Sequence, residues 1–142
     1  MSRVKRLVVA ALLVAGTLVA GNPALRAQAR QLAGFAAGLA REGYDPISAH
    51  EGWLNEGQSE WLSIQLAAGT SYAIAATCDG DCTDLDLKVY NPFNRLVVRD
   101  TSTDDVPVVY YRPPSSGRYQ IEAVMYRCSV DPCKYRLGVF ER

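Results

Sequence analysis

Residues Thr77 to Tyr90 read TCDGDCTDLDLKVY. The second half of this stretch decides the fold. Leu85, Leu87 and Val89 alternate with Asp84, Asp86 and Lys88, the period of two in which successive side chains point to opposite faces of a sheet. One apolar face and one charged face describe an antiparallel strand with a core on one side and solvent on the other. The first half brackets an Asp-Gly-Asp tip between Cys78 and Cys82, and Asp and Gly are turn formers. A second bracket, CSVDPC, runs from Cys128 to Cys133.

The same alternation recurs on both sides of this strand. Leu62, Ile64 and Leu66 share a face, as do Tyr72, Ile74 and Ala76. Further on, Leu96 to Arg99 and Val106 to Tyr111 are short strands. Tyr119, Ile121, Ala123 and Met125 alternate, and so do Tyr135, Leu137 and Val139. Ala68-Gly69-Thr70, Asn91-Pro92-Phe93-Asn94 and Pro113 to Gly117 supply turn chemistry between them. Pro107 donates no ladder hydrogen bond, so its strand lies at an edge or starts after it. The pattern predicts an all-β fold, an antiparallel β-sandwich of jelly-roll type with about seven to eight strands.

Ahead of the sandwich the pattern is different. Arg3, Lys5 and Arg6 precede an apolar run from Leu7 to Gly21, and Ala27-Gln28-Ala29 is a small-residue cleavage site. This is the order of a secretory signal peptide, expected over 1–29. The apolar run is short of the roughly 20 residues that a spanning helix needs, so no membrane span is expected once the leader is cut. Residues 30–50 read as a short helix and linker: Leu32, Phe35, Ala36 and Leu39 recur at helical spacing, while Gly34 and Gly38 weaken the helix. That helix is expected to be a docking or tethering arm, and the sandwich is expected over 51–142.

The whole chain carries 15 basic and 15 acidic residues. Without the leader 11 basic residues remain, a net charge of about −4. A mildly acidic domain without a basic patch is a poor nucleic-acid binder. Periplasmic or extracellular localisation follows from the leader. An even number of cysteines in an exported chain favours disulfides.

Counting strands up and down places loops 78–82, 100–104 and 128–133 at one end of the sandwich, and turns 67–71, 91–94 and 112–117 at the other. The first end collects Asp79, Asp81, Asp100, Asp104 and Asp131, with Asp84 and Asp105 at strand borders. It is an acidic pole, and both cysteine pairs cap it.

Four stretches carry a family resemblance. They are L-x-x-G (Leu54 to Gly57), L-x-A-G-T-S-Y (Leu66 to Tyr72), D-L-D-L-x-V-Y-x-P (Asp84 to Pro92) and S-G-R-Y-x-I (Ser116 to Ile121). Their order resembles the bacterial pre-peptidase C-terminal domain over roughly Glu51 to Phe140. The resemblance implies a β-sandwich that aids secretion or binds a polymeric substrate, with calcium bound in some members. The chain departs from the pattern in carrying the module without a protease domain and in its cysteine pairs.

The cysteines Cys78, Cys82, Cys128 and Cys133 fit two readings. Four thiolates in two short pairs can hold structural zinc, though two-residue separations are the commoner signature. Export instead favours two disulfides, and four cysteines allow three connectivities. Asp79, Asp81, Asp84 and Asp86, with Asp100, Asp104 and Asp105 from a second loop, are candidate oxygen ligands for calcium. They do not form an EF-hand, because counting from Asp79 puts Asp84 where Gly is needed and Tyr90 where Glu is needed. The competing reading is a solvated strand face and acidic loops.

His50-Glu51 has no matching nucleophile motif, so an enzyme is not expected. Tyr90, Phe93, Tyr110 and Tyr111, with Trp53, Trp61 and Tyr126, are candidates for an exposed aromatic platform, set against ordinary cross-strand packing. Tyr110 and Tyr111 are adjacent in a strand, so one of them faces out. The function expected is a non-catalytic exported module that binds a protein or polysaccharide and takes calcium. The alternatives are an accessory partner of another exported protein, or a zinc-dependent or hydrolytic protein.

Overall fold

A computed structural model describes residues 23–142. Most of the expected leader lies outside the described residues. One helix, α1 (Pro23–Arg41), leads into eight strands: β1 (Asp45–Leu54), β2 (Ser59–Leu66), β3 (Tyr72–Cys78), β4 (Cys82–Tyr90), β5 (Leu96–Asp100), β6 (Val108–Tyr111), β7 (Gly117–Cys128) and β8 (Cys133–Glu141). All pairs are antiparallel, in two four-stranded sheets ordered β1-β8-β3-β6 and β2-β7-β4-β5. Consecutive strands mostly alternate between the sheets, and that order is a jelly roll.

The two inner faces interdigitate as their sequence period dictates. Leu66, Ile74, Leu85, Leu87, Val89, Tyr119, Ile121, Met125, Tyr135, Leu137 and Val139 are all but fully buried between the sheets. The alternating strands thus form as the period predicts. Pro107 precedes β6, which is an edge strand and starts at Val108.

Two features of the N-terminal part differ from expectation. The helix starts at Pro23, well before Arg30, and continues through Ala27-Gln28-Ala29. Its apolar face is not free for a partner: Leu39, with Phe35 and Ala36 beside it, packs on Ala73, Tyr44 and Phe140. Phe35 meets the Phe140 ring edge-on at 6.3 Å. The helix therefore covers the outer face of the β1-β8-β3-β6 sheet around Ala73 and Phe140, and every residue of β3 is buried. The small side chains of Ala73 and Ala75 leave room for that cover.

The second difference is β1, which occupies 45–54 where a linker was expected. It pairs with β8 along its whole length, with an irregularity between Pro46 and Ser48. Its alternation is faint because it is an edge strand with Ile47 exposed and only Leu54 buried.

Candidate functional site

Each loop of the acidic pole is tied to another loop, to its own stem or to a neighbouring strand. The 55–58 loop is held by Glu56, whose N–H donates to Asp131 Oδ1 at 2.7 Å and whose Oε2 accepts from Cys128 N–H at 3.1 Å. The 79–81 turn is held from both sides. Lys134 N–H donates to Asp79 Oδ2 at 2.8 Å, and Ser129 N–H donates to Asp81 O at 2.8 Å. Loop 101–107 folds back on its own stem, with Ser102 N–H and Val108 N–H donating to the two Asp100 oxygens at 3.1 and 2.9 Å. Its tip reaches β4, where Leu85 N–H donates to Asp104 O at 2.9 Å.

The two cysteine brackets add covalent closure. Cys78 pairs with Cys82 and Cys128 with Cys133, and no cysteine is free. The alternative of a four-cysteine zinc centre is thereby removed, and of the three connectivities the local one is present. Cys82 and Cys128 are register partners in β4 and β7, so both closures sit side by side. The up-and-down count therefore placed these loops together correctly.

Four of the aspartates have structural tasks. Asp79, Asp100, Asp104 and Asp131 each accept a backbone N–H, that of Asp79 coming from Lys134 in β8, so four carboxylates shape the pole. Asp81 contributes its carbonyl, and Asp105 is only half-buried. Among the described residues no three His, Cys, Asp or Glu side chains stand close enough to hold one metal ion. The seven candidate aspartates are thus neighbours at one end without converging on one point.

Asp84 and Asp86 correct the sequence reading most sharply. They point away from the core as their period requires, yet only 5% and 8% of each is exposed. β4 lies inside its sheet, between β7 and β5, and loop 101–107 closes over the open side. The result is a cleft of about 240 Å³ lined by Asp84, Asp86, Thr101, Thr103 and Tyr126. Burial, and next the Asp104 charge, push the Asp84 carboxyl above its ordinary range, with Arg127 and a hydrogen bond to Asp86 opposing. Burial, and then the Asp84 charge, push Asp86 up as well. Asp100 shows the contrast. Burial would raise it too, but the N–H groups of Val108 and Ser102 outweigh that effect and hold it low.

The aromatic candidates do not form one platform. Tyr90 lies on the outside of the β2-β7-β4-β5 sheet, 5.0 Å from the Trp61 ring, and donates its hydroxyl proton to Glu122. Tyr110 faces out from the other sheet beside Tyr44, while Tyr111 turns inward against Tyr119. Phe93 stands at the far end on the 91–95 turn, 78% exposed. Alternation in two different sheets separates them.

His50 belongs to a polar knot between the β1 and β2 edges. Its Nε2 lies 3.2 Å from Glu60 Oε1, and the buried Tyr135 hydroxyl donates to Glu60 Oε2. The Tyr135 hydrogen bond outweighs burial and, with His50, holds the Glu60 carboxyl low. Burial, then Glu60, drives the Tyr135 phenol far up. Among the described residues no hydroxyl or thiol nucleophile is hydrogen-bonded to His50. Glu56, Thr101 and Thr103 were not singled out as site residues; the Thr101-Ser102-Thr103 run between two aspartate clusters was the available signal.

No family model matches the chain, and no curated protein does. Among solved structures the chain resembles Aeromonas hydrophila PliG, a periplasmic lysozyme inhibitor of g-type lysozyme, with a TM-score of 0.52 at 14% identity. The match covers 71% of this chain and 90% of that one, and at this identity it speaks to the fold.

Proposed function

We propose that this protein is an exported, non-catalytic module that binds another protein in the periplasm or outside the cell, and that a lysozyme-class enzyme is the partner. The observation that carries the reading is the built state of the acidic pole. Two disulfides and four loop-shaping aspartates spend their interactions on fixing a surface in advance. A surface ordered beforehand loses less entropy on association, which favours recognition of a folded partner. Its acidic character favours a basic one, because opposite fields speed encounter. The likeness in fold to a periplasmic lysozyme inhibitor supports the choice of partner class.

The test is an inhibition assay. A g-type lysozyme digests a cell-wall suspension while increasing amounts of the protein are added, and turbidity is followed. Saturable loss of lysis at a fixed stoichiometry supports the reading. Unchanged lysis together with no complex on a sizing column overturns it.

A further inference from the structure

Two buried carboxylates on one wall of an open cleft need a partner. Asp84 and Asp86 sit two residues apart on the outer face of β4, and loop 101–107 covers them. Asp84 Oδ1 is buried without a hydrogen-bond partner. Among the described residues neither carboxylate forms an ion pair. Lys88, the nearest cation on the same strand, goes to Glu122 Oε2 at 3.6 Å; Arg127, the register partner of Asp84 in β7, acts on that carboxylate without forming an ion pair and lies 5.9 Å from the Tyr126 ring centroid. A buried charge without a partner is costly, so the cleft is primed for something cationic.

The shape and the donor set choose among cations. Calcium takes about six to eight oxygens, and here only two carboxylates come together. A guanidinium asks for less: a planar fork of N–H donors meets paired carboxylate oxygens, and its face stacks on an aromatic ring. Tyr126 is 56% exposed at the rim, and Thr101 and Thr103 line the same cleft. The cleft's volume of about 240 Å³ is several times the roughly 30 Å³ share of a water molecule. We propose that this cleft receives a single arginine side chain presented by the protein partner, with Asp84 and Asp86 as its carboxylate fork and Tyr126 as its aromatic wall. That the arginine comes from a protein rests on the binding reading above.

The experiment titrates the full oxidised chain with capped arginine, N-acetyl-arginine-methylamide, and reads the carboxyl carbon shifts of Asp84 and Asp86 by NMR. Capped citrulline, uncharged and of the same shape, and calcium chloride form the other arms. A saturable shift with arginine alone is expected. Asp84→Asn and Asp86→Asn should each weaken it by about tenfold or more, the ratio set by one lost charged hydrogen bond, while their melting curves show intact folds. Saturation by calcium in place of arginine, an equal response to citrulline, or no response at millimolar ligand overturns the proposal. The two readings fail separately. A chain that takes capped arginine but leaves lysozyme active defeats only the partner, and one that inhibits lysozyme equally well as Asp84→Asn defeats only the cleft.

Discussion

Removing the Cys128–Cys133 disulfide should cost a computable share of the stability, and the neighbouring Cys78–Cys82 bond nearly the same share. The two bonds span sequence separations of 4 and 5, so each closes a very short loop. In the chain-entropy description, loops of this length restrict the unfolded chain by about 2 kcal/mol each. A domain of roughly 120 residues has an unfolding entropy near 0.25 kcal/mol/K, so each loss lowers Tm by about 8 °C. All four cysteines are at most 5% exposed, so Cys→Ala pairs also leave small buried cavities, and that cost adds to the closure entropy. The double-pair variant adds information. Cys82 and Cys128 face each other in the β4–β7 ladder, and contacting sites depart from additivity by about 0.5 kcal/mol or more. The combined loss should fall short of the sum, because a pole already frayed gives the second closure less native structure to hold. Differential scanning calorimetry of wild type, two single-pair variants and the double-pair variant measures all of this. A shift below about 2 °C for both single pairs would refute the idea that these bonds clamp the pole.

Three other expectations follow from particular contacts. In Gly52→Ala the new Cβ would lie 2.5 Å from both Glu60 Oε2 and the Tyr135 ring, so overpacking should cost about 1–3 kcal/mol; an unchanged melt speaks against the close approach of β1 to this knot. Tyr135→Phe removes the donor to Glu60 and should cost about 1–2 kcal/mol at neutral pH. Glu60 is held below its ordinary value, so its stabilisation is present above about pH 4.5 and fades as pH falls through the native value. The Tyr135→Phe deficit should shrink in acid, and an equal deficit at pH 3 and pH 7 would contradict the pairing. Asp84 and Asp86 have the opposite sign. Their carboxyls are raised in the native state, so their cost is absent below about pH 3.8 and complete once pH passes the native values. Asp84→Asn and Asp86→Asn should therefore melt higher than wild type at pH 7 and lose that advantage in acid; a lower melt at pH 7 contradicts the burial.

Much of the sandwich is legible because its central strands alternate cleanly. Leu85-Asp86-Leu87-Lys88-Val89 can send only one face to the apolar core between the sheets, and Tyr135, Leu137 and Val139 follow the same alternation. Pro107 sets the start of β6 by its missing donor. β1 resists such reading, because an edge strand carrying Pro46, Ala49 and Gly52 with an exposed Ile47 has almost no alternation to detect. The pole is legible as a place, since the parity of strands alone puts its loops together. Its workings are not. Whether Asp84 is solvated or enclosed depends on loop 101–107 folding back through Asp100 and Asp104, contacts that span the chain. The disulfide pairing was one of three possibilities by sequence, and the register that sets Cys82 opposite Cys128 does not choose among them; the S–S bonds Cys78–Cys82 and Cys128–Cys133 do.

The most direct test of a pre-organised acidic pole as the binding surface is the Kd between the full oxidised chain and a g-type lysozyme, compared with that of the double-pair Cys→Ala variant at a temperature where both are folded. The expected result is saturable binding by the oxidised chain and an affinity weakened by about tenfold or more in the variant, the entropic cost of ordering loops that the disulfides had ordered already. Equal affinity in the two, or no saturable binding by the oxidised chain, would contradict it.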